Sequence, residues 1–224
     1  MPYQTIIVRR DVQAEEKRDA ERERVNLGKR GTYVVNVVSS PGAGKTTLLT
    51  EIAQHWLGRY TLAVLVGDLE TDRDAQRLAP YMPVTQLTTG GACHLELPLV
   101  HRGRMALGDP NVDFLFIENI GNLVCPASHD LGEHLRLVLL SATDGDDKPA
   151  KYPKMFRTSQ VMVISKSDLL PYVPFNVESA FEDAKKIQSK MQGFVVSALQ
   201  HVGIAELCRY LEEERERCLT QYRL

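Results

Sequence analysis

The residues from Ser39 to Thr47, Ser-Ser-Pro-Gly-Ala-Gly-Lys-Thr-Thr, have the types and spacing needed to bind nucleoside triphosphate phosphates. Gly42 and Gly44, with Ala43 between them, allow main chain to approach an anion closely, and the N–H groups running through Lys45, Thr46 and Thr47 open a helix whose positive end favours the same charge. Lys45 is expected to reach the β- and γ-phosphates and the Thr46 hydroxyl to hold Mg2+. Ser39 stands where the pattern G-x-x-x-x-G-K-[ST] begins with glycine, as expected if this turn position needs no positive φ. An ordinary glycine turn before a helix does not account for the adjacent Lys-Thr pair.

Acidic residues follow at the ends of apolar runs. Asp68 and Glu118 are expected to contact Mg2+ directly or through water, since that ion takes oxygen ligands in octahedral geometry. The Glu118-x-x-Gly121 pair also suits a γ-phosphate sensor, with the Gly121 N–H facing the phosphate. Asp72 either orients the attacking water or is a plain loop acid. Ser165-Lys166-Ser167-Asp168 resembles the guanine-recognising Asn-Lys-x-Asp of GTPases, with serine in the first place. A carboxylate at Asp168 accepts from guanine N1–H and the 2-amino group, a donor pair that adenine lacks, while the Lys166 stem packs over the base. Losing the asparagine amide is expected to loosen the brace between loops. Ser197-Ala198-Leu199 resembles the segment that completes such a base pocket, with Leu199 in place of its usual lysine.

A second kind of chemistry is available at Cys93-His94 and Cys125, since thiolate and imidazole are ligands for Zn2+ and Ni2+. Adjacent side chains are expected to diverge, which predicts a poor site in one chain and a better one shared between two subunits. The alternative is that these cysteines are small buried hydrophobes. Cys208 lies on an apolar helical stripe and is expected in the core, and Cys218 has no evident partner.

These groups must be positioned by an α/β scaffold. The 224 residues, 43% hydrophobic, fit one large core. Their 27 Lys+Arg against 29 Asp+Glu, net charge -2, provide no basic excess for nucleic acid or anionic lipid. No apolar run is long enough to span a bilayer, so a soluble cytoplasmic protein is expected, with neither nucleic acid nor membrane as partner. Apolar runs over 33–38, 61–66, 84–88, 112–117, 134–141, 159–164 and 193–197 predict strands, and a short strand is possible at 3–8. Helical spacing predicts helices at 46–57, 74–80, 93–102, 177–191 and 203–219. The alternation implies a doubly wound, mostly parallel sheet with helices on both faces, the ligand lying beyond the strands' carboxyl ends. Residues 1–30 are expected to form an extension with a charged, solvated helix over 11–29, residues 31–224 the nucleotide-binding domain, and 144–158 a long loop.

The segments at 39–47, Gly-Asp-Leu-Glu-Thr-Asp-Arg-Asp-Ala (67–75), Thr-Gly-Gly-Ala-Cys-His-Leu (89–95), Glu-Asn-Ile-Gly-Asn-Leu-Val-Cys-Pro (118–126) and Ser-Lys-Ser-Asp-Leu-Leu-Pro (165–171) resemble, in order and spacing, those of the HypB family. That family comprises P-loop GTPases of the SIMIBI class that help insert nickel into [NiFe]-hydrogenase. The resemblance covers residues 31–211. It implies a slow GTPase cycling between GTP and GDP, a GTP-dependent homodimer, a Ni2+ or Zn2+ site of Cys93, His94 and Cys125 near the dimer interface, and work with a small zinc-containing nickel chaperone and the hydrogenase large subunit. Residues 1–32 hold no Cys or His, so the extra N-terminal nickel motif of many bacterial members is not expected. Three other readings compete. A urease-type nickel-insertion GTPase is disfavoured because Cys-His-Leu stands where that family has Cys-Pro-His. A small-molecule kinase would use Lys148, Lys151, Lys154 and Arg157 to clamp a transferred phosphoryl group. A metal-binding scaffold with vestigial nucleotide chemistry is suggested by Ser39, Ser165 and Leu199.

Overall fold

The β-branched apolar runs form β1 (Tyr33–Ser39), β2 (Leu62–Asp68), β3 (Val84–Thr88), β4 (Phe114–Gly121), β5 (Leu135–Ser141), β6 (Val161–Ser165) and β7 (Gln192–Val195). In the computed structural model, which describes residues 8–68 and 72–222, they make one parallel sheet in the order β3-β2-β4-β1-β5-β6-β7. The helices are α1 (Val8–Lys29), α2 (Lys45–His55), α3 (Arg73–Leu78), α4 (Leu97–Ala106), α5 (Lys148–Lys151), α6 (Pro153–Arg157), α7 (Val177–Ile187) and α8 (Ile204–Tyr222). The central strands are buried throughout, as expected of a parallel sheet covered on both faces. The strand expected at 3–8 lies outside the described residues except for Val8, which opens α1.

One face of the sheet is closed by α2 and α8. Trp56, fully buried, stacks on Phe114 with centroids 4.3 Å apart, and its indole N–H donates to Glu212 Oε1 at 2.7 Å. The other face packs in two patches, one centred on Met155, Phe156 and Met162 and the other on Leu65, Leu95 and Ile117.

Several expected elements change. Residues 144–158 are not a long loop, because Met155 and Phe156 are core residues and draw the segment into α5 and α6. The helix expected from 93 begins instead at Leu97, with Pro98 in its first turn. Gly90 (φ 63) and Gly91 (φ 102) turn the preceding chain through left-handed conformations, so Cys93 and His94 lie on a loop. The later part of α1 is docked, not merely solvated: Ala20 and Leu27 are buried, and Arg24 donates to both oxygens of Asp130, at 2.6 and 2.7 Å.

The register of β1 and β4 is decisive for the site. Val37 pairs with Glu118 but Ser39 pairs with Gly121, so β4 carries one extra residue over this stretch. Such a bulge re-aims side chains beside the phosphate loop. Asn119, within it, accepts from Ile120 N at 2.9 Å and donates to Asn36 Oδ1 at 3.2 Å.

Candidate functional site

The phosphate loop joins β1 to α2. Gly42 (φ 73) and Gly44 (φ 98) hold left-handed conformations that suit glycine, and Gly44 caps α2. Ser39 is the last residue of β1 and takes no positive φ, so glycine is not needed there. Its hydroxyl instead donates to the Ser40 carbonyl at 2.6 Å and accepts from Lys45 Nζ at 3.2 Å, which answers why serine serves at this position. Ser40 donates in turn to Asp144, 104 residues further along the chain.

Beneath the loop, the Thr46 hydroxyl donates to Glu118 Oε1 at 2.8 Å, while Glu118 Oε2 is buried without a hydrogen-bond partner. Burial pushes the Glu118 carboxyl up to about 7, and burial also lowers the Lys45 amine from its ordinary value. A carboxyl and an amine each driven toward neutrality are ready to receive counter-charges, a cation at one and a phosphate at the other. The orphaned oxygen beside a threonine hydroxyl fits a Mg2+ held by Thr46 and Glu118. Asp68 ends β2, one strand further along the sheet.

Gly121 packs directly against the phosphate loop: a Cβ there would lie 2.9 Å from Pro41 Cα. Asp72 lies just before α3. Its exposed carboxylate accepts from Gln76 Nε2 at 2.8 Å. Asp74, one position into α3, instead exerts charge on both Lys45 and Glu118, and Arg77 donates to Thr47 Oγ1 at 3.1 Å. Neither residue is marked in the sequence, because acids and bases on a short surface helix carry no motif.

The carboxyl ends of β6 and β7 form a cavity of about 240 Å³ against the phosphate loop, lined by Ala43, Gly44 and Thr47 on one side and Lys166, Asp168, Ala198 and Leu199 on the other. Ser165 does not leave the loops unbraced: its hydroxyl donates to the Ala43 carbonyl at 2.7 Å. Lys166, at φ 57, sends its amine to the Gly42 carbonyl at 2.8 Å, and Asp168 accepts from the Ser197 hydroxyl at 2.5 Å.

Cys93, His94 and Cys125 converge within one chain, correcting the expectation that neighbouring side chains at 93 and 94 diverge. Their donor atoms all lie within 4.8 Å of one another. The cause is the loop backbone, which frees these residues from helical spacing, together with a 3-10 turn over Cys125–Ser128 that carries the third donor to them. The two Sγ atoms are 2.6 Å apart, both thiols are free, and Cys125 beside it raises the Cys93 thiol from its ordinary value. Asn122, just past β4, donates to the Cys93 carbonyl at 3.4 Å and so ties the end of that strand to this loop. Cys208 is buried in the core as expected. Lys151 pairs with Asp147 and Lys154 donates to Ser128, each at 2.5 Å. Among the described residues no helix is long and apolar enough to cross a membrane.

Fold and site define a P-loop nucleotide-binding protein of the SIMIBI class, and the profile of the CobW/HypB/UreG nucleotide-binding domain matches residues 33–195. The signal recognition particle 54 kDa protein of Aeropyrum pernix, solved with GDP, shares the fold at a TM-score of 0.56, with 13% identity over 86% of this chain and 49% of that one. A hydrogenase maturation factor HypB of Escherichia coli (strain K12) is 42% identical over 208 residues, 92% of this chain and 71% of its own. A crystal structure of HypB from Helicobacter pylori in complex with nickel superposes with a TM-score of 0.86 at 38% identity, covering 91% of this chain and 96% of that one. The chain belongs to the HypB family of hydrogenase maturation factors.

Proposed function

We propose that this protein is a GTPase that couples GTP binding and hydrolysis to loading and release of nickel at Cys93, His94 and Cys125, assisting nickel insertion into [NiFe]-hydrogenase. The observation that carries the reading is the course of β4. Glu118 sits beneath Thr46, Gly121 abuts Pro41, and four residues later Cys125 joins the thiol cluster, with Asn122 bonded to the Cys93 carbonyl. A movement of β4's end on loss of the γ-phosphate would therefore be felt at the metal donors.

In this reading Lys45 and the N–H groups from Gly42 to Thr47 hold the β- and γ-phosphates, Asp168 and Lys166 hold guanine within the cavity that Ser197 and Ala198 help to wall, and Asp72 orients water. Thr46, Asp68 and Glu118 would hold Mg2+, which when bound neutralises charge developing on the β- and γ-oxygens. Two thiolates and an imidazole suit Ni2+ or Zn2+ as cargo, and three protein donors leave a position open for exchange with an acceptor. Because one chain supplies all three donors, a GTP-dependent homodimer is not required to build the site. It enters as the arrangement that GTP and metal would both favour by linkage. The partners in this reading are a small zinc-containing nickel chaperone and the hydrogenase large subunit, in the cytoplasm.

The test is Ni2+ affinity, measured by competition with a chromophoric chelator, with GDP and with a nonhydrolysable GTP analogue, alongside light scattering. A change in affinity between nucleotide states, lost in Cys93→Ala, supports the coupling. Equal affinity in both states, or unimpaired binding by Cys93→Ala, rules it out.

A further inference from the structure

Four residues beyond Cys125, His129 lies against His94 with ring centroids 3.9 Å apart and planes inclined by 17°. Resting on the metal reading above, we propose that His129 is a positioning residue for the metal centre, whose imidazole face holds the His94 ring so that Nδ1 points at the two thiols. The orientation of His94 supports this. Its Nδ1 is 3.9 Å from Cys93 Sγ, whereas Nε2 is 3.6 Å from Glu96 Oε1, so the two ring nitrogens face different groups. Nδ1 is therefore the ring nitrogen on the side of the Cys93 thiol.

The main chain at His129 is held independently of any metal. It ends the 3-10 turn that carries Cys125, its N–H donates to the Pro126 carbonyl at 3.2 Å, and its carbonyl accepts from Arg136 Nη2 at 2.5 Å. Arg136 is itself buried and bonded to Glu133 Oε1, which also accepts from Asn36. One rigid turn thus supplies both a donor, Cys125, and the platform for another donor, His94. A loop imidazole without such a platform would sample several rotamers, and the ordering cost would fall on metal binding.

The same geometry argues that His129 is not itself a fourth ligand. Imidazole lone pairs lie in the ring plane, so two nearly parallel stacked rings cannot both direct them at one ion. Consistently, the mutually close donor atoms among the described residues are those of Cys93, His94 and Cys125.

The experiment titrates Ni2+ alone into the purified full chain and follows the thiolate-to-nickel charge-transfer absorption. It compares the unaltered protein with His129→Ala, His129→Leu, His129→Phe and Cys93→Ser. Melting temperature and GDP binding, recorded for each, establish that the fold is intact. Both non-aromatic variants should lose about 10-fold or more in affinity, the scale seen when an outer partner of a ligand histidine is removed. Phenylalanine, which keeps the face but offers no nitrogen, should restore binding to within about 3-fold of the unaltered chain, half a decade on the same scale. Undiminished binding by alanine and leucine, or phenylalanine as weak as alanine, overturns the proposal. Failure of the metal reading looks different: the unaltered chain shows no charge-transfer band, or Cys93→Ser keeps it, and this proposal falls with it.

Discussion

Glu118→Gln should relieve a pH-dependent instability of the nucleotide-free protein while abolishing its response to Mg2+. The Glu118 carboxyl is 2% exposed, and its pKa is displaced from 4.5 to about 7, chiefly by burial. The folded chain therefore holds this proton up to about pH 7, whereas the unfolded chain releases it near 4.5. The stability that the proton provides is fully present below 4.5 and is lost as pH rises through 7. At about 1.4 kcal/mol per pKa unit, going from pH 5 to pH 8 costs the native protein about 2.5 kcal/mol that glutamine does not lose. Glutamine keeps an oxygen for the Thr46 hydroxyl. Its amide, where Oε2 now lacks a partner, adds a pH-independent penalty of about 1–3 kcal/mol, so the diagnostic quantity is the change with pH. For a domain of this size the melting-temperature difference between variant and unaltered chain should move by roughly 5–10 °C in the variant's favour between the two pH values. Scanning fluorimetry at pH 5 and 8, with and without Mg2+ and GDP, measures it. With GDP present, added Mg2+ should raise the unaltered protein's melting temperature most at the higher pH, and the variant's little. A difference independent of pH, or a variant that responds to Mg2+ like the unaltered chain, would refute the assignment of a buried, proton-holding carboxylate awaiting a cation.

Three further outcomes follow. Gly121→Ala adds a Cβ 2.9 Å from Pro41 Cα, which must be relieved by a shift of roughly 0.6 Å to reach ordinary contact, and overpacking of this kind costs about 1–3 kcal/mol. GTP turnover should fall roughly 10- to 100-fold in single-turnover assays while the protein remains folded, and unchanged turnover would mean that the contact does not align the site. Asp168→Asn should weaken GDP and GTP binding at least about 10-fold in fluorescent-nucleotide titrations while leaving ATP unaffected, because the carboxylate acceptor for guanine is lost. His134 accepts from Val34 N at 2.9 Å, lies 3.0 Å from the Arg24 carbonyl, and is pushed down to about 4 by burial. The folded protein keeps it neutral while the unfolded chain protonates from 6.5 downward, so stability is lost as pH falls from 6.5 toward 4; His134→Asn should flatten the denaturant-midpoint slope in that window.

Much of the nucleotide machinery was readable because a phosphate loop is contiguous: Gly42, Gly44, Lys45 and Thr46 are meaningful at fixed spacing before any fold is known. The parallel sheet was readable too, since strands buried on both faces are continuous apolar runs. Boundaries were less so. Pro98 and the two left-handed glycines moved the start of α4 beyond His94, and Met155 and Phe156 turned an apparently polar loop into helix. The single-turn helices left no periodicity long enough to detect.

The sequence by itself determined which groups could act: a lysine and threonine after paired glycines, carboxylates after strands, two thiols and an imidazole. It carried no information on the register slip that aligns Ser39 with Gly121, on the burial that drives Glu118 to about 7, or on the turn that stacks His129 on His94. Those depend on the packing of segments distant along the chain. Ser39 and Ser165, which depart from the usual motif residues, find their partners only there, in Lys45 Nζ and the Ala43 carbonyl. Motif chemistry is local and survives in one dimension, whereas desolvation, register and side-chain convergence are properties of a closed core.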